Sequence, residues 1–352
     1  MPLPTDSGVR WTPDDVRAFL AGYGRAPCDL QVEQLKSWWF NVVLRVEADG
    51  ERLILRRYGV TPAEEVRWEL AVLTHLGAHD FPTIRPLPRG GDSGNDSDCL
   101  GSFLGAPAIL YPYVEGHNAC DLDKAVAIPE TSAAVAQLHA LTAGLSVPYP
   151  RVRSGTESRR MVRELAAYAA ARGVGTEEGA LRTLLEEGTR VLADFGARLA
   201  PHADSPARLP RGVVHHDAHC ANVLFHRGRL VALIDFDDAC EGFLVDDLAV
   251  MVANWAAEWG ATGPLDLDYA VLVVREYERH RRLTEVEREL LPDFVRLFLL
   301  ADASAYVQGR LEQGADGEAA VADCNVYQRY RHHAQDETWM AAFRERLWSG
   351  AA

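Results

Sequence analysis

Between Gly212 and Ala249 three short strand-like runs interrupt a chain that is otherwise mostly helical from about Asp121 onward. They are Gly212 to His215, Asn222 to Phe225 and Leu230 to Ile234, apolar and β-rich, with turn residues between them. Polar residues gather at their ends: His215-His216-Asp217, then His219 and Asn222, then Asp235, Asp237 and Asp238. An Asp and an Asn thus stand five residues apart on a loop between strands, and a second Asp ends the next strand. Phosphoryl transfer needs such a set. One carboxylate orients the attacking hydroxyl and accepts its proton, while an amide oxygen and another carboxylate hold Mg²⁺ across the phosphates. Magnesium takes hard oxygen ligands and keeps several waters, so few side chains suffice.

The N-terminal third is β-rich. Asn41 to Val46 and Arg52 to Tyr58 flank Ala48-Asp49-Gly50-Glu51, and Asp-Gly between such runs predicts a hairpin. A helix is predicted before it, with Thr12 as cap and Pro13 at the first helical position, ending near Gly22. A second is predicted after it, capped by Thr61, with Val66, Leu70, Leu73 and Leu76 on one face. Residues 89–98 predict a mobile loop, and Ala106 to Val114 a buried strand. Helices are predicted over residues 157–200, separated by Gly173-Val-Gly175. The expected fold is α+β and two-lobed. Residues 1–114 form a small β-rich nucleotide-binding lobe, residues 115–352 a larger, mainly helical catalytic and substrate-binding lobe, with the intervening cleft as default ligand site.

The order of apolar strand, His-x-Asp-x4-Asn, hairpin, apolar-Asp-Phe and Asp-Leu-Ala resembles the aminoglycoside phosphotransferase and choline kinase superfamily, which shares the protein-kinase fold. The matched residues are His215, Asp217 and Asn222, then Ile234-Asp235-Phe236, then Asp247. The resemblance implies that Asp217 is the catalytic base and that Asn222 and Asp235 bind magnesium. It also implies that His219 contacts the transferred phosphate, that His215 braces the loop, and that Asp247 supports it. Arg56 falls at the strand position of the usual phosphate-binding Lys, with Arg57 as its competitor, and Glu69 at the helix Glu, with Glu65 one turn earlier. Ser37 and Asn41 fit loosely where relatives cover the phosphates, and Tyr111 and Tyr113 lie in the hinge that would bind the purine of ATP or GTP. No Gly-x-Gly-x-x-Gly is present.

For single residues the plainer alternatives stay open. Asp237 and Asp238 are further ligands or solvated turn residues, His216 stands where the family commonly has Gly and is given no role, and Cys220 and Cys240, which flank the site, read as small buried fillers more readily than as reactive thiols. The stretch Ile234 to Cys240 resembles the homoserine-kinase-like branch, which favours an amino acid or amino alcohol as acceptor. The basic residues are arginine apart from Lys36 and Lys124, which suggests a GC-rich, antibiotic-producing bacterium. The expected function is therefore phosphorylation of a hydroxyl on an antibiotic or other natural product. The alternatives are a homoserine or amino-alcohol kinase, or a pseudokinase-like binding module.

Composition excludes other partners. A formal net charge of −15 and no basic tract argue against nucleic acid. Six scattered cysteines without a CxxC pair predict reduced, mostly buried thiols. The first ten residues lack an apolar signal region and no long uninterrupted apolar run occurs, so no membrane span is expected and a cytoplasmic location follows by elimination.

Overall fold

The computed structural model describes residues 9–35, 41–90, 99–149, 157–258, 261–335 and 337–349. It divides into two compact units. The first takes its described residues from Met1–His117, Leu145–Val152 and Leu224–Asp237, and the second from Asn118–Gly144, Arg153–Val223 and Asp238–Ala352.

The first unit opens with α1 (Pro13–Ala21), closed at its start by a full capping box between Thr12 and Asp15. Strands β1 (Leu30–Leu35), β2 (Val42–Ala48) and β3 (Glu51–Arg57) follow, then α2 (Ala63–Ala78), β4 (Leu100–Phe103) and β5 (Ala106–Pro112). The strands form one antiparallel sheet in the order β1-β2-β3-β5-β4. The Asp-Gly hairpin forms as its sequence dictates. Asp49 and Gly50 both have positive φ, 49° and 84°, and Ala48 pairs with Glu51. Alternation places Leu44, Val46, Leu53 and Leu55 on one face, where Val16, Phe19 and Leu20 of α1 cover them. Ile54 and Arg56 therefore belong to the opposite face. The Thr61 cap does not form. Pro62 occupies the cap position of α2, which puts Thr61 one residue too early for its hydroxyl to reach the first turn.

β6 (His117–Asn118) precedes the second unit's first helix, α3 (Lys124–Leu141), which is capped by Asp123. Then come α4 (Glu157–Arg172), α5 (Ala180–Leu199) and β7 (Arg211–Val214). A hairpin of β8 (Val223–His226) and β9 (Arg229–Leu233) follows, turning through Arg227 and Gly228. From Leu224 to Asp237 this hairpin segment belongs to the first unit. There Leu233 accepts the Thr83 hydroxyl at 2.9 Å and donates its amide to Pro82 at 2.8 Å. The chain then re-enters the second unit as β10 (Cys240–Phe243), a strand the sequence pattern did not announce, which pairs antiparallel with β7. Helices complete it: α6 (Leu244–Trp255), α7 (Leu267–Glu278), α8 (Glu285–Glu312), α9 (Gly317–Ala322), α10 (Asn325–Gln335) and α11 (Glu337–Ser349). The 28-residue α8 starts at a Thr284–Glu287 capping box and packs against α4, α6 and α10. No helix among the described residues is long and apolar enough to cross a membrane.

The cysteines depart from expectation. Cys99, Cys240 and Cys324 are buried free thiols, but Cys28 is exposed, and Cys120 and Cys220 form a disulfide with their Cα atoms 4.8 Å apart. The chain folds so that the turn after His219 returns to the segment before α3, and a pairing across 100 residues leaves no trace in local spacing.

Candidate active site

In the first unit the polar face of β3 carries a charge cluster. Arg56 donates to Asp235 at 2.7 Å and to Asp237 at 2.5 Å, with its own side chain 12% exposed. Asn41 donates to the same Asp237 oxygen at 2.7 Å and accepts the Gly59 amide at 3.0 Å. Burial alone would favour a neutral Arg56, but the charges of Asp235 and Asp237 outweigh it and hold its pKa well above the ordinary value. Asp237, which the sequence left open between ligand and solvated turn, pairs here with Arg56 and accepts from Asn41. Arg57, next to Arg56, instead donates to the Phe103 carbonyl at 3.2 Å.

Asp235 follows β9 with φ of 67°, in the left-handed region that carboxylate residues tolerate only when surrounding contacts fix them. The ion pair with Arg56 is one such contact. Behind the cluster, Glu69 of α2 is buried and accepts the Tyr58 hydroxyl at 2.9 Å. Its charge adds to the field that keeps Arg56 protonated. Tyr111 is buried in β5, and burial first, then Glu69, pushes its phenol upward. Tyr113 lies under the Arg52 guanidinium, 4.8 Å from ring centroid to charge centre, and donates its amide to Arg52. Ser37 lies outside the described residues.

In the second unit β7 delivers the loop from His215 to Asn222, and the loop is braced from below. Asp247, in the first turn of α6 and fully buried, accepts the backbone amides of His215 at 2.7 Å and His216 at 2.8 Å. His139 of α3 donates Nε2–H to it at 3.0 Å, and the Tyr277 hydroxyl of α7 meets His139 Nδ1 at 2.6 Å. Burial pushes the Asp247 carboxyl upward, but His139 and the His215 amide more than offset this and leave its pKa below the usual carboxylate range. His216 has φ of 64°, which explains why glycine suits this position in the resembling family. Its Nε2 lies 3.4 Å from Asp246. Trp255, at the other end of α6, donates its indole N–H to the Ala218 carbonyl at 2.8 Å.

On this frame Asp217 presents a carboxylate that is 31% exposed. Asn222 Nδ2 donates to the Asp217 carboxylate at 2.7 Å and to its carbonyl at 3.0 Å, so the Asn222 amide oxygen takes no part in these bonds. His215 Nδ1 accepts the Asp217 amide at 3.3 Å. His219 caps the one-turn 3₁₀ helix Cys220–Asn222, its Nδ1 accepting the Ala221 amide at 3.1 Å. That bond puts the ring proton on Nε2, which faces Asp217 at 3.5 Å. Asp302 of α8 senses this loop. Burial first and the Asp217 charge second raise its pKa to about 6, with Arg329 and His219 pulling the other way. No local signal pointed to His139, Trp255, Tyr277 or Asp302, since each reaches the loop from a helix 37 to 138 residues distant from its partner or through space alone.

The residues fit magnesium by their chemistry. Asn222 keeps an amide oxygen and Asp235 a partly exposed carboxylate, both hard donors. Among the described residues no group of three or more His, Cys, Asp or Glu side chains forms a metal cage.

Over 235 residues, 66% of this chain, the sequence is 30% identical to the homoserine kinase of Sinorhizobium fredii, and the match spans 65% of that protein's length. The fold is similar to that of the microcompartment-associated aminopropanol kinase, with TM-score 0.67, 19% identity, and coverage of 94% of this chain and 98% of that one. It is also similar to an amicoumacin kinase in complex with AMP-PNP, Ca²⁺ and Ami, with TM-score 0.62, 17% identity, and coverage of 91% and 89%. These likenesses show a kinase-like fold, with an antiparallel sheet in the N-terminal region and helices in the C-terminal region. A model of the phosphotransferase enzyme family matches residues 31–283, well over half of the chain, and the chain belongs to that family.

Proposed function

We propose that this chain transfers the γ-phosphate of ATP or GTP to a hydroxyl of a small molecule that carries an amino group. The observation that carries the proposal is the arrangement at Asp217. Its carboxylate is exposed enough to meet a substrate, yet it is fixed by Asn222 and by the His215–Asp247–His139 frame beneath it. A base held this way accepts a hydroxyl proton without reorganising first. Asp217 orients the acceptor hydroxyl, and His219, with its Nε2–H beside Asp217, donates toward the transferred group. Asn222 and Asp235 are the proposed magnesium ligands. Magnesium, when bound, neutralises phosphate charge as the new bond forms. Arg56 and Asn41 bind phosphate oxygens, with Glu69 behind Arg56, and the backbone around Tyr111 and Tyr113 receives the nucleotide base.

The amino group is inferred from Asp302, a carboxylate in the field of Asp217 that burial and that neighbouring charge disfavour, with Arg329 and His219 pulling the other way. An ammonium beside the acceptor hydroxyl would satisfy both carboxylates. The names of the relatives, homoserine kinase and aminopropanol kinase, support an amino acid or amino alcohol. Phosphorylation of an amine-bearing antibiotic is the second reading, supported by the likeness to an amicoumacin kinase. A binding module without turnover is the reading from another class, and the complete set of Asp217, Asn222 and Asp235 weighs against it.

The test incubates the protein with Mg²⁺ and ATP or GTP against amino acids, amino alcohols and antibiotics, with mass spectrometry to detect one added phosphoryl group. Product with wild type and none with Asp217→Asn is the expected result. Product formed at the same rate by both proteins would overturn the assignment of the base. Nucleotide binding without product from any acceptor would favour the binding module.

A further inference from the structure

We propose that Cys120 and Cys220 are a redox-modification site, a dithiol–disulfide pair that clamps the loop from Asp217 to Asn222. It would exchange with small disulfides as oxidant and small dithiols as reductant.

The placement carries the proposal. Cys220 is the first residue of the 3₁₀ turn and sits between His219, which caps that turn, and Asn222, which holds Asp217. Cys120 stands just before α3, and the pair joins two points 100 residues apart with a Cα separation of 4.8 Å, inside the roughly 4.4–6.8 Å window a disulfide can bridge. The neighbouring backbone is already aligned, because the Ala119 amide donates to the Cys220 carbonyl at 2.9 Å. The two sulfurs can therefore meet without moving the loop.

Access is selective. Cys120 is exposed and Cys220 partly so, whereas Cys99, Cys240 and Cys324 are buried. Exposure and a nearby resolving thiol are the conditions for a reversible thiol switch. Cys28 is the other exposed thiol, and it lies in the other compact unit.

The chemistry closes with a small disulfide as oxidant. The Cys120 thiolate attacks one sulfur of the small disulfide, whose S–S bond breaks and releases one small thiol. The Cys220 thiolate then attacks the Cys120 sulfur of the mixed disulfide, and the second small thiol leaves. Two electrons pass from the protein to the small disulfide, and the two cysteine protons end on the released thiols. A small dithiol reverses both steps.

The disulfide coexists with a loop in which Asn222 already grips the Asp217 carboxylate, so the oxidised form is the preorganised one. Reduction leaves the turn held by the Ala119–Cys220 hydrogen bond and the His219 cap, without a covalent tether. The consequence for turnover rests on the activity proposed above, whereas the clamp itself does not.

The experiment equilibrates the full chain with oxidised glutathione or with reduced dithiothreitol, alkylates free thiols, and locates the adducts by mass spectrometry. Hydrogen exchange of peptides spanning residues 213–225 and phosphoryl transfer are measured on the same samples. Cys120 and Cys220 are expected to escape alkylation together under oxidising conditions. Reduction is expected to speed exchange of the loop and to lower kcat about tenfold, on the scale by which small misplacements of a reacting group act. Cys120→Ser should abolish both responses and Cys28→Ser neither. Cys120 stands at an exposed position, so its loss leaves the core intact. Alkylation of both cysteines under oxidising conditions, equal loop exchange in the two states, or equal turnover in the two states would each overturn the proposal. If no acceptor is phosphorylated in either state, the proposed activity fails, and the clamp then stands or falls on loop exchange alone.

Discussion

Arg56 and Asp217 are both fixed in place, but by opposite means. Arg56 is held by two carboxylates that touch it directly, one of them on a residue with positive φ. Asp217 is held at one remove, by a buried frame of amides, imidazoles and a phenol that ends in Asp247, while Asn222 and His219 approach its carboxylate. The first arrangement is a set of ion pairs that a competing charge can exchange. The second is a hydrogen-bond network in a low-dielectric interior, where each missing partner leaves an uncompensated group. A substrate or metal ion can therefore rearrange the Arg56 cluster at modest cost, but the loop carrying Asp217 is preset.

The comparison is sharpest at Asp217 itself. Asp217→Asn should lower kcat by about 10²–10⁴-fold, the range for loss of a positioned base, with fold and nucleotide affinity retained. The rate of product formation by mass spectrometry and nucleotide titration of the variant check both halves. A variant that lost nucleotide affinity as well would show that Asp217 also organises the phosphate end.

Below the loop, Asp247→Asn should cost about 2–4 kcal/mol of stability. It replaces an acceptor of two backbone amides with a group that also presents donors to them. Denaturant unfolding measures this, and a loss under 1 kcal/mol would mean that the frame is not what fixes the loop.

Arg56→Met tests the other region. Removing the cation leaves Asp235 and Asp237 facing each other's charge, but Asp235 is 40% exposed, so solvent screening reduces the loss to about 1–3 kcal/mol. Millimolar Mg²⁺ should raise the thermal midpoint of this variant more than that of wild type, since a divalent cation can take the place of the lost charge. Equal shifts would break the idea that this cluster is exchangeable.

The smallest effect concerns pH. Asp302 has its folded pKa raised to about 6, so the folded chain binds its proton more tightly than the unfolded chain. The associated stability is fully present below the ordinary carboxylate value and is lost as pH rises through about 6. Asp302→Asn should therefore be more stable than wild type at pH 8, by about 1–2 kcal/mol, and equal to it near pH 4. Asp247 runs the other way. Its folded pKa is lowered, so its contribution is present above the ordinary carboxylate value and is lost as pH falls through the lowered value. Urea midpoints of wild type and Asp302→Asn at several pH values separate the two slopes.

Local chemistry made several parts of this molecule legible in its sequence. The Asp49-Gly50 turn, the Thr12 cap and the alternation of β2 and β3 follow from φ preferences, capping hydrogen bonds and side-chain period, all properties of a few consecutive residues. The spacing of Asp217 and Asn222 was equally informative, because a short loop between strands brings residues five apart into contact, and the structure places their side chains 2.7 Å apart. What the sequence could not show is set by partners distant along the chain. Alternation left Arg56 and Arg57 in competition until Asp235 and Asp237, some 180 residues later, met one of them. The Asp237 side chain, open in the sequence between ligand and solvated turn, meets Arg56 for the same reason. Cys220 changed from a filler to a disulfide partner because folding returned it to Cys120. The frame of Asp247, His139 and Tyr277 draws on three helices, and the raised pKa of Asp302 comes from burial and a neighbouring charge. Short-range sterics and hydrogen bonds are written into neighbouring residues, whereas burial and electrostatics depend on which distant segments pack together, and the tertiary structure alone decides that.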